Sequence, residues 1–204
     1  DHLVLKMGIR HENIDLKVDD YSTLKLCKKP TQCSVAVDVT GDTLTYEATT
    51  YNIGLKYNAI EKFSPFVSYS QGADISDTGR LLRTATVTDI SLIHTEASII
   101  DSYEVGFTSD FDDLHLEFAA YRSTSELGTT NKFDKITGIY VPVRAPQEIW
   151  GYEALANYTI NESLSLNATY SWVEGKNTAA DVYLGAKQIT PPKATLNLNW
   201  RPTE

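Results

Sequence analysis

The sequence predicts an all-β fold, an antiparallel transmembrane β-barrel wall, and three observations carry that prediction. Runs of about ten residues alternate apolar and polar side chains. Long polar connections alternate with tight ones, and aromatic residues gather toward the ends of the runs. In a strand that crosses a membrane as part of a barrel, successive side chains face lipid and lumen, so a period of two is what such a wall requires.

The first run, about residues 2 to 15, sets Leu3, Leu5, Met7 and Ile9 against Lys6, Gly8 and Arg10, and a face so charged is not a packed core. A long polar connection, about 16 to 44, follows. Strands over about 45 to 58 and 63 to 73 are joined by a short turn at Ala59 to Lys62. After a second long connection, about 74 to 97, strands at about 98 to 109 and 113 to 124 meet at Asp110 to Asp112, rich in the Asp that favours tight turns. A third long connection, about 125 to 146, precedes strands at about 147 to 159 and 163 to 174, joined at Ile160 to Glu162. There the alternation is clearest: Leu164, Leu166, Ala168, Tyr170 and Trp172 share one face, and Ser165, Asn167, Thr169 and Ser171 the other. A fourth long connection, about 175 to 190, leads to a last strand, about 191 to 201, with Ala194, Leu196, Leu198 and Trp200 opposite Thr195, Asn197, Asn199 and Arg201. The count is about eight strands, with short turns facing the periplasm and long loops facing outward.

The same period would suit a soluble β-sandwich with one buried face, so the loops and aromatics must separate the two. Tyr57, Phe63, Phe107, Phe111, Tyr158 and Trp200 lie toward the short turns, and Tyr69, Tyr121, Trp150 and Trp172 toward the long loops. Two girdles of this kind suit the two membrane interfaces, although aromatics are also good sheet formers.

No stretch approaches the ~18 to 20 apolar residues of a spanning helix, which excludes a helical membrane protein. The formal net charge of −9 argues against nucleic acid, since phosphate binding needs clustered Lys and Arg. The only cysteines, Cys27 and Cys33, lie close together in the first long loop. A local disulfide in an oxidising compartment fits them; a metal pair is the alternative, but no second pair or nearby His completes a site. The chain begins at Asp1 and stops at Arg201, Pro202, Thr203 and Glu204 without the terminal aromatic strand of bacterial barrels, and an excerpt of a longer protein is expected.

Longer blocks carry a family resemblance. Ser68, Tyr69, Ser70, Gln71 and Gly72, leading into Asp77, Thr78, Gly79, Arg80, Leu81, Leu82 and Arg83, resemble the strand and loop that TonB-dependent siderophore receptors write as Tyr-Ser-Gln-Gly followed by Gly-Arg-hydrophobic-Leu-Arg. Asp101, Ser102, Tyr103, Glu104, Val105, Gly106 and Phe107 look like their descending strand, and Ile149, Trp150, Gly151, Tyr152 and Glu153 like their Ile-x-Gly-x-Glu strand. Pro191 and Pro192 match at the opening of the last strand. The resemblance implies that residues 1 to 204 are part of a single outer-membrane β-barrel domain, about eight strands of a barrel of about 22 whose lumen holds a plug. It implies that the plug domain, the final strands and the N-terminal region that engages the TonB complex lie outside this chain. The expected function is binding and import of a ferric siderophore at the bacterial outer membrane, with the chelate as transported ligand, no resident cofactor, and outer-membrane lipid around the wall. A small complete barrel of structural or adhesive role, and a secreted β-sandwich binding module, are the alternatives.

Gly8, Gly54, Gly106 and Gly151 fall on the polar face, where they would admit curvature or the close approach of an interior element. Glu104 and Glu153 fall there too, as solvated lumen charges or as partners for a plug. For the ligand, the loops offer Arg80, Arg83 and Arg144 with Tyr140 and Tyr183: Arg supplies charge and directed donors to an anionic chelate, Tyr rigid stacking area. No catalytic constellation emerges. His2, His11, His94 and His115 are scattered at no metal-ligand spacing, and the adjacent Asp112 and Asp113 read as turn formers.

Overall fold

Consecutive strands here pair with their neighbours in one antiparallel sheet, as alternating runs joined by short turns must if every backbone group is to be satisfied within hydrocarbon. The structure is a computed structural model and describes residues 2–24, 27–29, 32–33, 35–75, 78–83, 85, 88–90, 97–126, 129–133, 140–144, 146–186 and 188–201. β1 (Leu3–Lys17) is followed, within the first long loop, by β2 (Tyr21–Ser22), β3 (Cys27–Lys29), β4 (Gln32–Cys33) and β5 (Asp38–Val39). Then come β6 (Thr43–Tyr57) and β7 (Phe63–Asp74), and the second long loop carries a short helix, α1 (Thr78–Arg83). β8 (Ser98–Asp110) and β9 (Leu114–Ser125) precede a loop hairpin of β10 (Thr129–Phe133) and β11 (Tyr140–Arg144). β12 (Gln147–Asn161), β13 (Leu164–Asn177), β14 (Val182–Tyr183) and β15 (Lys193–Trp200) complete the order. In space the sheet runs β1, β6, β7, β8, β9, β12, β13, with β14 and β15 sharing the far side of β13. Long strands stand wherever the alternation placed them, within a few residues at each end.

Register turns alternation into two different surfaces. One row of paired residues runs Leu5, Leu55, Val67, Val105, Ala120, Tyr152 and Trp172. The adjacent row, on the opposite face, runs Lys6, Gly54, Ser68, Glu104, Tyr121, Gly151 and Val173. The apolar row leaves β1 near its short-turn end and reaches β13 near its long-loop end. That slip of roughly one residue per strand is what a wall tilted by about 35–45° requires.

The apolar face is bare. Leu5 is 53% exposed, Met7 70% and Leu196 71%, with no second sheet packed on them among the described residues. A β-sandwich would have buried this face, so that alternative fails. The small complete barrel fails as well: among the described residues β1 pairs only with β6, and β15 only with β13, so eight strands do not close on themselves. Instead they form part of a larger barrel wall.

On the apolar face the aromatics form a lateral ladder across the strands as well as rows near the ends. Phe63 and Phe107 lie 5.1 Å apart, Phe107 and Phe118 5.9 Å, Phe118 and Tyr152 6.2 Å, and Tyr152 and Trp172 5.5 Å. Toward the long loops the same face turns polar: the Tyr69 hydroxyl donates to Asp101 at 2.6 Å, and Arg122 Nε donates to Glu148 at 2.7 Å. Tyr121, expected in the upper girdle, is on the lumen face by its register with Glu104 and Gly151. Proximity to a strand end had grouped it with the girdle, and strand parity overrides that.

Three of the four lumen-face glycines, Gly8, Gly106 and Gly151, are covered by neighbouring side chains of the wall itself. A Cβ at Gly106 would meet ring carbons of Phe66 at 2.6 and 2.8 Å, and one at Gly151 would meet the Tyr121 hydroxyl at 2.7 Å. Gly8 faces Asn52, and Gly54 is open, with Ser68 Cβ at 3.8 Å. Aromatic rings lying over sheet glycines fix local curvature and fill the space the missing side chain leaves.

Candidate ligand-binding face

The lumen face is lined by hydroxyls, amides and carboxylates, because every second residue of each strand points there. In its upper half Ser98 and Ser125 bond at 2.7 Å, and Ser102 and Ser123 at 2.8 Å. Lower down, Lys56 Nζ donates to Thr108 at 3.2 Å, Asn157 bonds Asn167, and Thr169 bonds Thr195. The Ser68 hydroxyl donates to Glu104 at 3.4 Å. Two hollows share Glu104 and Glu153: one of about 460 Å³ that also touches Phe66, Glu117 and Lys193, and one of about 330 Å³ edged by Ser102 and Tyr121. At the short-turn mouth His115 lies between Asp110 at 2.5 Å and Glu117 at 2.9 Å, and Lys62 pairs with Asp112 at 3.0 Å. Among the described residues no group of three or more His, Cys, Asp or Glu could hold a metal ion. Such a wall can hydrogen-bond along its length, with carboxylates and ammonium groups both facing the interior.

At the outer end the first and second long loops form a small core over the rim. Val39, Leu44, Tyr46 and Ile90 are buried together, with Val18, Tyr21, Val37, Ile75, Leu82 and Ala85 packed around them. Leu44 and Tyr46 belong to the lumen face of β6, so this core sits directly above the interior. The Tyr21 hydroxyl donates to the Leu82 carbonyl at 2.8 Å, and burial pushes its phenol pKa up from the usual value.

Of the five sequence-predicted ligand residues, Arg83 and Tyr183 have side chains within the described residues. Arg83 is exposed at the end of α1, its Nε donating to the Gly79 carbonyl at 3.1 Å. Arg80 lies in α1 and Tyr140 and Arg144 in β11, but their side chains are outside the described residues. Tyr183 is 60% exposed and stands opposite Lys176 in the β13–β14 pairing, its ring 6.3 Å from Trp150 and 5.6 Å from the Lys176 ammonium. Trp150 is on the lipid side, so Tyr183 belongs to the outer rim of the wall and is not with Arg83. Cys27 and Cys33 pair directly across the β3–β4 hairpin, with their side chains outside the described residues.

Sequence reasoning missed the loop core. Its signal was present: Val35, Val37 and Val39 alternate inside a loop otherwise read as polar. What could not be read was the partner, Ile90, two strands further along the chain.

Comparison with known proteins agrees with this architecture. A family model described as TonB dependent receptor-like, beta-barrel matches residues 1–204. The ferric aerobactin receptor of Klebsiella pneumoniae is 24% identical over 219 residues, covering 97% of this chain and 29% of that protein. The rhizobactin receptor of Rhizobium meliloti (strain 1021) is 22% identical over 199 residues, covering 89% of this chain and 26% of that protein. The solved structure of the copper transporter OprC shares the fold, with a TM-score of 0.80 at 14% identity, and covers 100% of this chain and 31% of that one. The chain therefore spans less than a third of the length of these relatives, each named as a receptor or transporter and none as an enzyme.

Proposed function

Since this chain belongs to the TonB-dependent receptor-like β-barrel family, we propose that the complete protein is an outer-membrane receptor that binds and imports a ferric siderophore. The observation that carries the transporter reading is the two-faced wall: bare Leu, Val and aromatic side chains outside, hydroxyls and carboxylates inside. The narrower ligand class follows the relatives named for ferric aerobactin and for rhizobactin. In this reading the barrel has about 22 strands, a plug fills its lumen, and an N-terminal region engages the TonB complex. Glu104 and Glu153 meet cationic groups of that plug. Arg80, Arg83, Tyr140 and Arg144 contribute to chelate capture from the loops, while Tyr183 anchors the rim. A Cys27–Cys33 disulfide stiffens the first loop, the direct pairing of the two backbones being within the span of such a bridge.

Growth of the receptor-deletion host on single iron sources tests the function. A strain carrying the complete receptor gene should grow on a ferric chelate of the aerobactin or rhizobactin kind, and growth should vanish when TonB is removed. Independence from every chelate supplied would overturn the siderophore reading.

A further inference from the structure

The most enclosed side chain among the described residues is in a loop: Ile90 of the second long loop is 0% exposed. Its buried neighbours come from the adjacent first long loop and the strand that follows it. Val39, Leu44 and Tyr46, from the first long loop and the top of β6, close over it, and Leu82 and Ala85 of its own loop pack around the same cluster. The backbones join as well as the side chains. Thr40 N–H donates to the Thr88 carbonyl at 2.9 Å, and Ile90 N–H donates to the Thr40 carbonyl at 3.1 Å, forming a parallel bridge between Thr40 and Asp89. A second tie is the Tyr21 hydroxyl on the Leu82 carbonyl.

Within the first loop the chain is stitched so that this contact is not on a slack tether. Val18 N–H donates to the Asp42 carbonyl at 2.9 Å, Thr23 N–H to the Val37 carbonyl at 2.9 Å, and Gly41 N–H to Asp20 Oδ1 at 2.7 Å. Ser22 bonds Asp38 beside the β2–β5 pair. Loops that lack buried apolar contacts open locally at little free-energy cost; loops that share a core open together or not at all.

We propose that the first and second long loops are one mechanical unit, welded by Ile90 and Tyr21, so that α1 and Arg83 take their position over the lumen from the first loop and cannot move without it. The coupling is a property of the fold and holds whatever the ligand. Where Arg83 binds a chelate, which depends on the functional reading above, Tyr21 and Ile90 are positioning residues for that contact.

Reciprocity tests the weld without any ligand. In the complete receptor, purified in detergent, amide hydrogen exchange is followed by mass spectrometry in Ile90→Ala and in Val39→Ala. Each substitution should accelerate exchange by at least about tenfold in the loop it does not belong to, residues 18–24 and 37–42 for I90A and 78–90 for V39A, since an emptied enclosed site destabilises all that packs on it. Exchange in β8 and β9 should be unchanged, which reports that the barrel is folded. Tyr21→Phe should produce the same pattern at smaller amplitude. Acceleration confined to the substituted loop in both variants, with β8 and β9 still protected, overturns the proposal. Loss of chelate binding in Y21F with exchange unchanged overturns the weld but leaves the receptor reading intact.

Discussion

Gly106 and Gly151 are where a single methyl group meets the wall most directly. At Gly106 it would press on the Phe118 carbonyl oxygen and the Phe66 ring, and at Gly151 on the Trp172 carbonyl oxygen and the Tyr121 hydroxyl, whereas at Gly54 the nearest side-chain atom stands at 3.8 Å. Overpacking of a filled site costs roughly 1–3 kcal/mol. Gly106→Ala and Gly151→Ala should each destabilise the complete receptor by about that much, and Gly54→Ala should fall near neutral, in urea unfolding from lipid vesicles. Equal effects at all three positions would show that neither the strand carbonyls nor the rings are seated against Gly106 and Gly151. That glycines face the lumen was legible from parity; what covers them was not, because Phe66 and Tyr121 reach them from the neighbouring strand through register.

At the scale of the element, one residue of slip exchanges lipid for lumen. Val67 stands on β7 between Leu55 and Val105 on the apolar face, and Ser68, the next residue, faces Glu104 on the other. An Arg on the lipid face near the bilayer midplane costs about 2–4 kcal/mol. Val67→Arg should therefore lower the folded fraction in vesicle-folding titrations, and Ser68→Arg, which gains Glu104 as a partner, should fold close to wild type. The reverse ranking would mean the faces are misassigned. Strand limits were legible because hydrophobic alternation is a local signal. Tyr183 was not, because a two-residue strand gives no period and only its pairing with Lys176 fixes its side.

For the whole molecule, the alternation of short turns and long loops sets sidedness. The turns at residues 111–113 and 162–163 are tied into neighbouring strands, as where Thr159 N–H donates to the Asp113 carbonyl at 2.8 Å, while the outer loops carry their own small strands and core. An epitope tag inserted after Ala179, in the fourth long loop, should bind antibody on intact cells; one inserted after Asp112 should bind only after the outer membrane is opened. Labelling of the Asp112 tag on intact cells would invert the assigned orientation. At this scale the first two loops act together, so a ligand held by either one restrains both.

The sequence by itself determined the strands, their two faces, the alternation of turn and loop, and the likeness to one receptor family, because each depends on residues near one another in the chain. Only the tertiary structure decided that the sheet does not close on itself at eight strands, that rings from adjacent strands cover Gly106 and Gly151, and that Ile90 joins two loops into one body. Those outcomes depend on register and on contacts between residues far apart in the chain, and alternation along a single strand carries no record of which residue stands opposite.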